Sequence, residues 1–251
     1  MRSLLRYTLA VFAMAALMPS VFSAGVVGVI GDGQSLPSEP VPVGEEQQVT
    51  AYVDNGASSV QFHVVDSHGN TVFTSAPVAV QEDGTVSMVW TPPFADTFTI
   101  WAYSYDGTGS LVSREQWLLV SVYQPDARGF ITGGGWIDFD RHKRTFGFVA
   151  QVQRNGSIRG SLEYQRHGLG FNVKSYAMDW VYAPNLNEGY FSGRATINGF
   201  GTYRFYAMVW DWGEPGRADF FALWVYDPCG TLVFADWGEL SGGNIVIHAR
   251  H

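Results

Sequence analysis

The chain has 251 residues, with 15 Lys and Arg against 23 Asp and Glu, a net charge of −8, and one cysteine. That acidic balance argues against nucleic acid or an anionic membrane surface as a partner. A lone Cys229 excludes an internal disulfide, so packing and hydrogen bonds must hold the fold.

The N-terminus, Met1-Arg2-Ser3-Leu4-Leu5-Arg6, is basic and precedes an apolar run over 9–18, then Pro19, Ser20 and the small-residue pattern Val21-Phe22-Ser23. This pattern predicts a secretory signal peptide over 1–23, cleaved after Ser23 or Ala24. It removes Arg2 and Arg6 and no acid, so the mature chain is more acidic still. No other stretch approaches the roughly 18 apolar residues of a membrane-spanning helix, so no membrane span is expected.

From 24 to 124, short alternating segments are separated by turn clusters at a spacing that suits a β-sandwich. The alternation predicts strands over 47–53, 59–65, 71–74, 85–90, 97–105 and 116–123. Asp54-Asn55-Gly56, Asp66-Ser67-His68-Gly69-Asn70, Glu82-Asp83-Gly84 and Asp106-Gly107-Thr108-Gly109 form the turns. The stretch with Val60, Phe62 and Val64, then Asp83-Gly84-Thr85-Val86-Ser87-Met88-Val89-Trp90, then Ala95-Asp96-Thr97-Phe98-Thr99-Ile100-Trp101-Ala102-Tyr103, resembles bacterial immunoglobulin-like domains. The resemblance implies an immunoglobulin-like β-sandwich and brings no catalytic site with it.

Residues 125–129, Pro125-Asp126-Ala127-Arg128-Gly129, read as a linker. Beyond it, over 130–251, the composition shifts toward Tyr, Phe and Trp, and strands are predicted over 130–137, 145–153, 157–165, 171–182, 190–197, 202–210, 219–226, 231–236 and 244–248. The strongest local signal is Asn198-Gly199 between two alternating runs, because both residues tolerate the positive φ of a tight hairpin turn. Whether Phe200 and Gly201 join that turn is open, and a slip of one residue would exchange the two faces. Short loops predict an antiparallel meander, closed as a barrel or folded as a compact sandwich. The fold class is therefore all-β.

Ile131-Thr132-Gly133-Gly134-Gly135-Trp136-Ile137, Thr145-Phe146-Gly147-Phe148-Val149, Gly199 with Gly201-Thr202-Tyr203-Arg204-Phe205, Gly213-Glu214-Pro215-Gly216 before Asp219-Phe220-Phe221, and Gly242-Gly243-Asn244-Ile245-Val246-Ile247-His248 together resemble the post-COAP type of domain found in exported bacterial proteins. The resemblance implies a β-rich module at the cell surface, in the periplasm or secreted. It implies no reaction.

No catalytic motif stands out. Gly133-Gly134-Gly135 lacks the Lys and Ser/Thr of a phosphate loop, and no nucleophile elbow or His-Glu-x-x-His is present. Glu163 and Asp179 are the pair an enzyme acting on polysaccharide would use, since glycosidases need two facing carboxylates. The carboxylates of Asp211, Glu214 and Asp219 around one tight turn suit calcium, a hard cation taking oxygen ligands; the alternative is that the aspartates bond backbone amides within the turn. Other cofactors are not indicated.

Aromatics carry the remaining signal. With Phe98, Ile100 and Ala102 in the core, Trp101, Tyr103 and Tyr105 face the other way, and with Leu118, Val120 and Val122 inward, Trp117 and Leu119 join them. Trp101, Tyr103 and Trp117 are thus the candidate ligand-binding residues, covered either by the second domain or by a glycan stacked on the rings. The functional expectation is an exported, non-catalytic interaction or structural module, with a glycan or a cell-surface protein as partner.

Overall fold

The computed structural model describes residues 26–30, 36–37, 40–124, 129–139, 142–213, 216 and 218–248. The predicted signal peptide, most of the predicted linker, and Glu214 lie outside the described residues. Every regular element among the described residues is a strand. Residues 26–123 form two sheets. One contains β1 (Val26–Ile30), β4 (Gln47–Val53) and β8 (Thr85–Trp90), in the order β1-β4-β8. The other contains β2 (Leu36–Pro37), β3 (Val41–Pro42), β5 (Ser59–Val65), β6 (Thr71–Thr74), β7 (Val78–Ala79), β9 (Asp96–Tyr105) and β10 (Leu111–Tyr123), with the path β2-β10-β9-β5-β6. The sheets pack face to face. Val49, Ala51, Val86, Met88 and Trp90 from the first meet Val60, Phe62, Val64, Phe98, Ile100 and Ala102 from the second. This is the arrangement that period-two alternation dictates when one face is apolar.

Residues 130–248 form one nine-stranded sheet, curled into an open half-barrel. Its strands are β11 (Phe130–Phe139), β12 (His142–Val152), β13 (Ile158–Arg166), β14 (Phe171–Tyr182), β15 (Glu188–Ile197), β16 (Phe200–Trp210), β17 (Phe220–Tyr226), β18 (Leu232–Glu239) and β19 (Gly242–His248). The meander runs in chain order from β11 to β18, and β19 returns to pair with β11. Asn198 and Gly199 alone make the β15–β16 turn: φ is 53° and 78°, and Ile197 pairs with Phe200.

The concave face holds Phe146, Phe148, Tyr164, Phe191, Phe205 and Phe221, all fully buried. Gly133 makes room for them, since a Cβ there would lie 2.6 Å from the Phe148 ring. Gly133, and Gly135 beside Leu240, therefore serve core packing.

The seam between β13 and β14 is short. Their register extends from Glu163 opposite Lys174 to Arg166 opposite Phe171, whereas β12 and β13 pair from Arg144 to Val152. Where that seam stops, Ser175 Oγ accepts the Leu162 amide at 2.7 Å in place of a backbone carbonyl.

The convex face of β11–β13 is docked on the outer face of β9 and β10. Leu119, 1% exposed, lies over Gly147, where a Cβ would come within 2.9 Å of Leu119 Cδ2. Ser121 Oγ donates to the Gly133 carbonyl at 2.8 Å, and the Thr97 amide to Ser161 Oγ at 2.7 Å. Glu163, 4% exposed, is the centre of this contact. Its carboxylate accepts from Thr99 Oγ1 at 3.1 Å, Gln165 Nε2 at 2.7 Å, Asn172 Nδ2 at 3.0 Å and Gln116 Nε2 at 3.4 Å, with Lys174 Nζ at 3.7 Å. A buried carboxylate is tolerable only when so fully bonded.

Candidate functional site

Trp117 is not where alternation puts it. It is fully buried in the N-terminal core, its ring 5.5 Å from that of Phe62. The cause is a β-bulge: Gln116 pairs with Trp101 and Leu118 with Ile100, so Trp117 is an extra residue that turns inward beside Leu118. Trp117 is therefore removed from the candidate ligand-binding set. Trp101 and Tyr103 lie on the face opposite the core, each half-buried. The Arg114 guanidinium sits 4.5 Å from the Trp101 ring and 5.4 Å from that of Tyr103, and His63 packs against Tyr103 at 4.4 Å. The part of this face that is fully covered belongs to Thr97, Thr99, Leu119 and Ser121, and the C-terminal sheet covers it.

At the acidic turn, every carboxylate oxygen of Asp211 and Asp219 accepts a backbone amide. Asp219 takes Trp212 N at 2.9 Å and Ile245 N at 2.8 Å, and Asp211 takes Gly213 N at 2.9 Å and Ile247 N at 3.2 Å. Ile245 and Ile247 are alternate residues of β19, whose other edge pairs with β11. The two carboxylates thus occupy the place of a neighbouring strand and shield an edge that would otherwise present free amides. Of the two expected roles, this geometry is the amide-bonding one.

The acids Glu163 and Asp179 do not face each other. Glu163 pairs in register with Lys174, and Lys174 with Thr196 of β15, whereas Asp179 lies beside Gly193 and Ser192, which sets the two positions about 12 Å apart along the strands. A glycosidase pair needs no more than about 9.5 Å. Asp179 instead pairs with Arg194 at 3.4 Å.

Inside the half-barrel, Asp236 on β18 reaches across to β12 and β13, accepting from Arg144 Nη1 and from the Tyr164 hydroxyl. Burial first, and then the bond to Asp236, push the Tyr164 hydroxyl far above its ordinary range, so it stays a neutral donor. Among the described residues, one group of three side chains has metal-ligand spacing: Asp66, His68 and Asp96, with ligand atoms within 4.8 Å of one another. Their carboxylates already accept the amides of His68, Asn70, Ser67 and Thr97, the Ser67 hydroxyl and the Asn70 side-chain amide, as a tight turn requires.

The feature that alternation in the second half signals, and that the reading centred on Trp101 passed over, is the convex face of β14 to β18. With Phe205, Ala207 and Val209 in the core, Tyr206, Met208 and Trp210 point out. Register places Trp180, Ser192, Tyr206, Trp224 and Ala235 in one row across the five strands, and Tyr182, Tyr190, Met208, Ala222 and Trp237 in the next. Rings meet within these rows and beside them: Trp180 and Tyr206 at 6.5 Å, Tyr182 and Tyr190 at 6.4 Å, Tyr206 and Tyr226 at 5.7 Å, Trp210 and Phe220 at 5.1 Å. Tyr182 is 60% exposed, Trp237 58%, Tyr176 42% and Trp180 39%. At about 150–250 Å² per ring, those four alone expose about 300–500 Å², as much as the largest apolar patch of a typical monomer. Arg194, Arg204 and Asp179 share the face. Searches of family models, curated proteins and solved structures find no match to the chain.

Proposed function

We propose that this is an exported, non-catalytic interaction protein whose ligand is a glycan, held on the convex aromatic face of β14 to β18. The observation that carries the reading is the two-row array of partly exposed rings on regular strands. A sheet fixes ring orientation with little conformational freedom left to lose on binding. Flat rings with polar edges suit the apolar faces and hydroxyl rims of sugars, and Arg194, Arg204 and Asp179 supply hydrogen-bonding groups beside them. Export rests on the basic and apolar N-terminal pattern and on the resemblance of 130–248 to domains of exported bacterial proteins. An exposed face of this size on a monomer is itself a sign of an interaction surface.

The test uses the mature chain, residues 24–251, titrated with soluble plant, microbial and animal polysaccharides while tryptophan fluorescence is followed. Trp180→Ala and Trp237→Ala should each weaken binding by about tenfold or more and leave the melting temperature nearly unchanged. Absence of binding across the panel, or binding indifferent to both substitutions, would overturn the proposal.

A further inference from the structure

Two arginines stand directly opposite each other on the aromatic face: Arg194 on β15 pairs in register with Arg204 on β16, and both are exposed. Like charges directly opposite on neighbouring strands destabilise a sheet. Arg194 is partly compensated by Asp179 at 3.4 Å and lies over the Tyr176 ring at 5.7 Å. Arg204 has no ion pair among the described residues, and its other register partner is Tyr226. A chain with 23 acids places no acid in register with this pair. Folding alone gives no reason for the juxtaposition, while a ligand with negative charge does.

Building on the glycan reading, we propose that the sugar is an acidic one, a polyuronate, with its rings on Trp180 and Tyr206 and a carboxylate between Arg194 and Arg204. Trp180 and Tyr206 lie in the row next to the arginines, so a sugar stacked there presents its exocyclic carboxylate toward the cationic row. A guanidinium matches a carboxylate with two parallel N–H donors, which gives both strength and orientation. The acidic surface elsewhere does not cancel this, because screening confines each exposed charge to about 8–10 Å at physiological salt.

The experiment compares polygalacturonate with its fully methyl-esterified form, which keeps the rings and removes the charge, on the mature chain and on Arg204→Gln and Trp180→Ala. The acid should bind at least about tenfold more tightly than the ester at about 0.1 M NaCl, and about 0.5 M NaCl should remove most of that preference. Arg204→Gln should abolish the preference by weakening the acid more than the ester, while Trp180→Ala should weaken both alike and leave their ratio unchanged. Equal binding of acid and ester, or a preference that survives Arg204→Gln, overturns the anionic assignment and leaves the aromatic platform standing. Binding of neither form overturns the polyuronate and, where the wider panel also fails, the glycan reading with it.

Discussion

The Thr99 hydroxyl donates to Glu163 Oε2 across 3.1 Å, and the two residues stand on strands of different sheets with separate hydrophobic cores. Removing the carboxylate would leave Thr99, Gln116, Gln165, Asn172 and Lys174 facing a vacated buried site. Glu163→Ala should therefore cost about 3–5 kcal/mol, as loss of one partner from a buried charged network does. Glu163→Gln keeps one acceptor and should cost less. Urea denaturation measures both, and a loss within about 1 kcal/mol for Glu163→Ala would mean that the docking does not depend on this group.

Asp219→Ala removes the acceptor of two amides, Trp212 N and Ile245 N. The expected loss is about 2–4 kcal/mol, since each unsatisfied buried donor costs about 1–3 kcal/mol and water reaches part of this turn. Millimolar calcium should leave the melting temperature of the unaltered chain where it was. A calcium-dependent rise that disappears in Asp219→Ala would restore the metal reading of this turn.

Trp117 and Trp101 should behave differently although the sequence groups them. Trp117→Ala opens a large cavity under Phe62 and should cost about 3–5 kcal/mol. Trp101→Ala, at a half-buried ring beneath Arg114, should cost less than half of that. Neither should change the affinity for a ligand on the convex face of β14 to β18. Calorimetric unfolding and a binding titration separate these outcomes, and a lost affinity in Trp101→Ala would move the site to the N-terminal half.

His248 stacks on Phe130 at 4.0 Å. Burial of the ring lowers its pKa below the ordinary value of 6.5, and nearby Asp211 opposes this only in part. The unfolded chain therefore takes up the proton first, so stability falls as pH drops through about 6.5 and levels off below the folded-state value. His248→Gln should flatten that slope in melting temperatures recorded from pH 7.5 to 5. Asp66 acts lower on the scale. Burial would raise its carboxyl, but bonds from the Asn70 side chain and from the Asn70 and His68 amides outweigh that and hold it below 3.8. Its contribution is present above that pH and is lost as pH falls through the lowered value. An unchanged acid limb in Asp66→Asn would refute this part.

The strands over 47–53, 59–65, 71–74 and 85–90 coincide with their alternation to the residue, because a glycine turn with Asp or Asn marks at least one end of each run. β1, β2 and β3 carry no such mark. They are short and pair in parallel with strands far along the chain, so their existence depends on partners that local pattern does not contain. Alternation alone puts Trp117 on the wrong face because one inserted residue breaks the period at that point, and nothing in Glu115-Gln116-Trp117-Leu118 announces an insertion. The aromatic rows of β14 to β18 were visible strand by strand. Their exposure was not, since it depends on which third of the convex surface the N-terminal sheet covers, and that is decided by Gly147 and Glu163 meeting Leu119 and Thr99.

The short ladder between β13 and β14 sets how the molecule would respond to pulling. The N-terminal half is fastened through β11 to β13, while the aromatic rows begin at β14, so tension between a tethered end and a held ligand crosses that boundary, in parallel with the bonds from Asp236 to β12 and β13 and from Asp211 and Asp219 to β19. A pull across the strands opens hydrogen bonds in succession, and the first to part would be those from Glu163 to Arg166. The side-chain bonds that Glu163 makes to Asn172 and Lys174, and Ser175 to the Leu162 amide, lie across the same boundary and act as rivets there. Glu163 thus ties together both the two halves of the chain and the line along which the second half would tear.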